Sequence, residues 1–246
     1  MLNILVVGET CLDKFIYCDV KRLSPEAPVP VLVPNDICYN AGMSGNVADN
    51  VEAIGYKDEI KLTHYHQNTK ITKTRFVEKK SNHMFLRYDE GEEMGVDCFN
   101  FDDVKDSHFD IVIVSDYDKG YLSNRDITRL GSLGEVSILD SKRRLSHDLI
   151  DSYTWVKLNK SEAASNRDIT YISNVIVTLG AEGVLYDDKI IPSPNPQETI
   201  DVSGAGDTFT AAFILNYYET RDVYKAIGFA NKMAAIVVSK RGVATP

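Results

Sequence analysis

In the second half of the chain, short apolar runs recur with helical or polar stretches between them: Asp110 to Ser115, Val136 to Leu139, Thr154 to Leu158 and Asn174 to Thr178. Strands that alternate with helices in this way imply βαβ units and a mainly parallel sheet. Asn3 to Val7 has the same β-branched, apolar character, is stopped by Gly8, and is expected as a central parallel strand. Gly183 to Tyr186 and Lys189 to Ile191 read as a hairpin turning through Asp187-Asp188. Two helices, Gly206 to Tyr218 and Asp222 to Ser239, close the chain.

The first half is built differently. Lys14 to Val20 and Val29 to Val33 surround prolines at 25, 28, 30 and 34, which cannot donate to a ladder. These segments are therefore expected as edge strands or as a small separate sheet. Ile71 to Glu78 and His83 to Tyr88 alternate and complete that sheet. Gly42 to Ile54 has small and apolar residues at helical spacing, with Gly55 as C-cap. No linker divides the 246 residues, so the expectation is one α/β domain over 1–246, with a small β-sheet drawn from about 14–40 and 71–90.

Composition narrows the partners. A net charge of −9 argues against nucleic acid, which needs clustered basic residues, yet leaves room for a local basic pocket. Cys11, Cys18, Cys38 and Cys98 form no C-x-x-C pair, so zinc is not expected and the thiols are expected reduced. The first eight residues read as a strand rather than a signal peptide, and no apolar run is long enough to span a bilayer. A cytoplasmic protein without a membrane partner is expected.

In open α/β sheets, ligands bind beyond the carboxyl ends of the strands. Glu9 and Asp13, Asp116, Asp140 and Lys142, Asn159 and Glu162, and Thr178, Gly180 and Glu182 all fall at such ends. The segment Ile200-Asp201-Val202-Ser203-Gly204-Ala205-Gly206-Asp207-Thr208-Phe209 then places a carboxylate at a glycine-rich helix start. Main-chain amides there attract negative charge. A carboxylate makes sense beside them if Asp207 takes a proton from a hydroxyl while the amides hold a transferring phosphoryl group. Taken alone, an ordinary turn with an early-helix aspartate fits equally well. After the first strand comes Gly8-Glu9-Thr10, without the G-x-G-x-x-G turn of a dinucleotide-binding dehydrogenase.

The chain resembles the ribokinase-like (PfkB) carbohydrate kinases. The resemblance rests on Gly8-Glu9 with Leu12-Asp13, Gly42…Gly45-Asn46, Asn159-Lys160-Ser161-Glu162, Thr178-Leu179-Gly180 and Gly204-Ala205-Gly206-Asp207, in that order. Within the family, Arg22-Leu23-Ser24-Pro25-Glu26-Ala27-Pro28-Val29-Pro30-Val31, Asp116-Tyr117-Asp118-Lys119-Gly120, Asp140-Ser141-Lys142 and Phe229-Ala230-Asn231 are similar to the kinase domain of bacterial heptose 7-phosphate kinases. The departures are Glu9 for an aspartate, Met43-Ser44 within the Gly42–Asn46 motif, Ser141 for a proline, and shortened stretches near 56–63, 91–110 and 163–174.

The resemblance implies a three-layer α/β sandwich with a mainly parallel central sheet and a small β-sheet lid. It implies an ATP- and Mg2+-dependent transfer of a phosphoryl group to a sugar hydroxyl, with a heptose 7-phosphate as the leading acceptor. Another sugar or nucleoside, or a binding protein that has lost catalysis, are the alternatives. Asp207 is the expected general base and Gly204, Ala205 and Gly206 the anion hole. Asn159, Lys160, Ser161, Glu162, Thr178, Gly180, Glu182, Gly183 and Asn231 are expected on the nucleotide side, with Glu162 reaching magnesium through water. Asp13, Gly42 and Asn46 are expected to hold sugar hydroxyls, and Arg75, Arg87 or Lys142 a substrate phosphate. A homodimer through the lid is also implied.

Overall fold

A computed structural model of the chain describes residues 1–55, 60–194 and 202–246. Its main sheet has eight strands. The chain enters it through β1 (Leu2–Gly8) and leaves at once for the small sheet through β2 (Thr10–Leu23) and β3 (Pro30–Met43). Helix α1 (Ser44–Ile54) leads back to β4 (Ile60–Tyr65), after which β5 (Thr72–Glu78) and β6 (Met84–Glu90) finish the small sheet. The alternation expected from sequence follows: β7 (Phe109–Asp116), α2 (Asn124–Leu130), β8 (Gly134–Ser141), α3 (His147–Asp151), β9 (Trp155–Asn159), α4 (Lys160–Ser165) and β10 (Val175–Thr178). The hairpin β11 (Val184–Tyr186) and β12 (Lys189–Ile191) precedes the closing helices α5 (Ala205–Thr220) and α6 (Val223–Val238).

The main sheet runs β12-β11-β10-β9-β8-β7-β1-β4, with every pair from β10 to β4 parallel and the terminal hairpin antiparallel. Because side chains alternate across a strand, the apolar runs divide between two cores. Ile4, Val6, Ile111, Ile113 and Ile138 pack under α1, α5 and α6. Leu5, Val7, Val112, Val114 and Leu139 pack against the layer holding Ile127, Leu130 and Ile150. Three layers result. Asp187 and Asp188 both take φ near 50–57°, the turn that matches the twist of a two-residue hairpin.

The small sheet runs β3-β2-β5-β6, with β2 and β5 parallel and both outer pairs antiparallel. It is more extensive than the 14–40 and 71–90 expected, since β2 begins at Thr10 and β3 ends at Met43. The prolines mark β3 as an edge, but β2 lies inside the sheet. Two details differ from the sequence reading. Gly55 ends α1 in an extended conformation rather than a left-handed one. The shortened stretch near 56–63, to which the sequence reading gave no strand, contains the start of β4; residues 56–59 lie outside the described residues. Its alternation of Ile60, Leu62 and His64 with polar residues is the pattern of a half-covered edge strand.

Candidate active site

Helix α5 begins at a left-handed glycine. Gly204 has φ 80°, and a Cβ there would lie 2.7 Å from Asn46 Nδ2 and 3.1 Å from Val243 Cγ1. Both the conformation and the crowding require glycine. Gly204 at the N-cap has no side chain to cap the first turn, so its amides face outward as the helix-start geometry dictates. They line a cavity of about 570 Å³ together with Gly204, Ala205, Gly206 and Asp207. Ile200 and Asp201 of the motif lie outside the described residues.

Asp207 is buried and clamped by two donors. Asn46 Nδ2 donates to Oδ2 at 2.8 Å and Tyr117 Oη donates to Oδ1 at 3.2 Å. Burial pushes the carboxyl up to about 6; the Asn46 donation opposes this, and repulsion from Asp140 adds to it. Burial, and then the charges of Asp207 and Asp140, push the Tyr117 phenol well above its ordinary value, so it stays protonated and able to donate. Glu9 places that tyrosine. Its buried carboxylate accepts from the backbone amides of Tyr117 (2.8 Å), Lys119 (3.1 Å) and Tyr121 (3.2 Å), which pins the loop after β7. The change from aspartate to Glu9 therefore leaves a group with a defined task.

Lys157 is the residue sequence reasoning missed. It lies in the middle of an apolar strand, and its Nζ donates to Asp140 Oδ2 at 2.8 Å with both groups buried. Thr210 Oγ1 donates to the same oxygen at 3.1 Å. Burial alone would raise Asp140 and lower Lys157; their mutual attraction outweighs it, so both remain charged. The strand register sets Asp140 opposite Lys157, which the sequence order alone does not show. A lone lysine in an apolar strand needs such a partner.

Asn159 and Glu162 form the capping box of α4. Asn159 Oδ1 accepts from the amides of Ser161 and Glu162 at 2.9 Å each, and Glu162 Oε2 accepts from Asn159 N at 2.7 Å. Glu162 Oε1 also accepts from Asn159 Nδ2 at 2.6 Å and from the Lys142 ammonium. Three of the roughly four lone-pair positions on this carboxylate are thus occupied. Direct metal ligation by Glu162 does not fit, whereas one bound water does. Among the described residues, no group of three His, Cys, Asp or Glu side chains could cage a metal.

Lys142, Asn159, Lys160, Ser161, Thr178, Gly180, Gly183 and Asn231 all line the same cavity as Asp207. Thr178 Oγ1 donates to the Leu158 carbonyl at 3.3 Å. Asn231 is buried on α6 rather than exposed, with its Nδ2 3.5 Å and 3.4 Å from the carbonyls of Ile191 and Pro192. Glu182 is not in this lining. It is exposed and pairs with Lys160 at 3.0 Å across the surface. Of the expected acceptor residues, Asn46 touches Asp207, while Asp13, Gly42, Arg75 and Arg87 are not among the residues lining the cavity. Asp13 is ion-paired with Arg75, and Arg87 binds Asp89 through two nitrogens at 2.8 and 2.7 Å. Neither arginine is an unengaged phosphate ligand. Gly42 leaves room for Asp13, whose Oδ2 would lie 2.2 Å from a Cβ there.

A sequence profile described as "pfkB family carbohydrate kinase" matches residues 57–246. The chain belongs to the pfkB family of carbohydrate kinases. Among relatives of this pfkB protein, the "Bifunctional protein HldE" of Helicobacter pylori (strain J99 / ATCC 700824) is 29% identical over 98% of this chain and 64% of its own length. The protein of the same name from Caulobacter sp. (strain K31) is 28% identical over 98% of this chain and 60% of its own. The chain thus spans less than two thirds of the curated relatives it matches. Nucleoside kinase from Methanocaldococcus jannaschii has a similar structure, with TM-score 0.68, 19% identity, and coverage of 99% of this chain and 93% of the other. Phosphofructokinase-2 from Escherichia coli in complex with potassium gives TM-score 0.71, 17% identity, and coverage of 100% and 95%. At these identities the likeness shows the ribokinase-like α/β fold, including the smaller four-stranded sheet.

Proposed function

We propose that this chain is an ATP-dependent sugar kinase that phosphorylates the anomeric hydroxyl of a heptose 7-phosphate. The observation that carries the kinase reading is Asp207, a buried carboxyl raised to about 6, set against the uncapped first turn of α5 at the wall of a cavity large enough for a nucleotide. The acceptor is suggested by relatives named HldE at 27–29% identity and by the Asp116–Gly120 and Asp140–Lys142 motifs.

In this reading Asp207 accepts the proton of the attacking hydroxyl as its oxygen bonds to the γ-phosphorus and the bond to the β-phosphate oxygen breaks. The amides of Gly204, Ala205 and Gly206 hold the charge that spreads over the transferring oxygens. Asn159, Lys160, Ser161, Thr178, Gly180, Gly183 and Asn231 position the nucleotide. Lys157 and Lys142 add positive charge beside its phosphates. Bound with the nucleotide, Mg2+ would neutralise adjacent phosphate charge, and Glu162 would hold it through water. Asp13, Gly42 and Asn46 face the acceptor. The small sheet acts as a lid that excludes water and pairs with that of a second copy, within one kinase domain in the cytoplasm. No helix among the described residues is long and apolar enough to cross a membrane.

The pairing of Arg75 with Asp13 and of Arg87 with Asp89 favours a second reading, an acceptor that carries no phosphate. One experiment separates them: ADP release measured with ATP, Mg2+ and a panel of heptose 7-phosphate, hexoses, pentoses, their phosphates and nucleosides. The first reading expects the heptose 7-phosphate to give the highest kcat/KM. Preference for an unphosphorylated sugar would favour the second, and absence of ADP with every acceptor would defeat both.

A further inference from the structure

Two asparagines one turn apart on α1 form a chain that ends on Asp207. Asn50 is completely buried, and both hydrogens of its amide go to one residue: Nδ2 lies 2.7 Å from the Asn46 carbonyl and 3.0 Å from Asn46 Oδ1. Asn46 Nδ2 in turn donates to Asp207 at 2.8 Å and reaches the Gly204 carbonyl at 3.4 Å. The direction of this chain is not arbitrary. A backbone carbonyl only accepts, so Asn50 must present its NH2 group to it. That places a second N–H against Asn46 Oδ1, which leaves only the Asn46 NH2 group to face the carboxylate. The reversed amide would set oxygen against oxygen at Asp207 and NH2 against NH2 at Asn50.

Stability does not account for Asn50. Asparagine is a weak helix former, and its Oδ1 has no hydrogen-bond partner among the described residues although fully buried. A leucine would suit the position better if packing were its purpose, since its neighbours Val47 and Val51 belong to the core under α5.

We propose that Asn50 is a positioning residue for the reaction: through Asn46 it transmits the polarity of a helix carbonyl to the Asp207 carboxylate and fixes which face of that carboxylate is left for the acceptor hydroxyl. This rests on the reading of Asp207 as the base. Removing Asn50 frees the Asn46 amide to turn; replacing it by aspartate reverses the demand, because a carboxylate accepts from Asn46 Nδ2 and draws it off Asp207.

The test compares Asn50→Leu, Asn50→Asp and Asn46→Ala, alone and with Asn50→Leu added. Expected for Asn50→Leu is a thermal midpoint equal to or above wild type, an unchanged KM for ATP, and kcat lowered about tenfold; Asn50→Asp falls further. In the Asn46→Ala background, Asn50→Leu adds no further loss, because the two act as one unit. An activity-independent readout is the titration of Asp207 followed by the carboxyl carbon signal of the ligand-free protein. Tyr117, Asp140, Lys157 and Cys11, the other titratable groups acting on Asp207, stay in place, so a rise in its titration midpoint reports loss of the Asn46 bond. Wild-type kcat and an unmoved Asp207 titration in Asn50→Leu overturn the inference. Full turnover in Asp207→Asn would instead overturn the reading of the base, while the carboxyl titration would still judge the Asn50–Asn46 link.

Discussion

From Ile4 to Gly8 and from Ile111 to Asp116, every residue of the main sheet is buried, whereas all seven residues of β6 in the small sheet are exposed. The seven residues at the centre of β3, Val33 to Tyr39, are exposed as well. The main sheet is covered on both faces by its own helices. Among the described residues, the small sheet packs on two small clusters, Phe15, Tyr17, Val77 and Val243 in one and Cys11, Met43 and Ile71 in the other. The difference separates two tasks. Charges that must be held still, such as Lys157 and Asp140, sit where the chain buries itself completely. The other sheet keeps Ile37, Tyr39, Leu86 and Tyr88 about half exposed, surface that a ligand or a second copy covers at no cost in broken packing.

The sharpest way to break this division is at the carboxylate itself. Asp207→Asn keeps the size of the side chain and removes the proposed base, so kcat is expected to fall on the order of 10³-fold. Nucleotide affinity, measured by calorimetric titration, should change little. Near-normal ADP release by this variant would refute the chemistry assigned to the main-sheet rim.

Lys157→Met comes next. It leaves Asp140 buried and charged without its partner, and about 3–5 kcal/mol of stability is expected to disappear in denaturant unfolding. If Lys157 were a solvated surface charge, the loss would be within experimental error. Leu139→Ala probes the neighbouring core. Leu139 is wholly buried, and truncating it is expected to cost about 2–5 kcal/mol through lost transfer and an unfilled cavity.

How much of this was readable beforehand follows the same division. The buried strands β7 to β10 were legible because parallel strands covered on both faces are continuously apolar. The α5 start was legible because Gly204 and Gly206 flank one alanine directly before Asp207. β4 was not, since a half-covered strand carrying Lys61, His64 and a polar flank reads as a loop. Lys157 was hidden because its role depends on register with Asp140, a non-local fact. Tyr117 was quoted within a motif without a task, and only the loop pinned by Glu9 brings its hydroxyl to Asp207. Arg75 and Arg87 misled in the opposite sense: sequence shows cations, but not that Asp13 and Asp89 already hold them.

The titration of Asp207 gives a subtler test. Its carboxyl is raised from 3.8 to about 6 by burial, so the proposed base is lost as pH falls through about 6, and kcat should drop roughly tenfold per pH unit below that point. Stability moves the other way for this one group. Between about 4 and 6 the folded protein binds a proton that the unfolded chain does not, so protonation favours the fold and its contribution fades as pH rises through 6. An acid limb of kcat near 4 would mean that Asp207 is solvated like an ordinary surface carboxylate.

The smallest effect is expected from the same leucine truncation moved to the small sheet. Leu86 is 55% exposed, so Leu86→Ala should leave the unfolding free energy of dilute protein within about 0.5 kcal/mol of wild type. In sedimentation equilibrium the variant should shift the monomer–dimer midpoint to higher concentration if the lid pairs with a second copy. A loss in dilute protein as large as that of Leu139→Ala would mean that Leu86 is packed against its own chain. The exposures of the two sheets would then no longer separate a self-contained catalytic frame from a surface awaiting its partner.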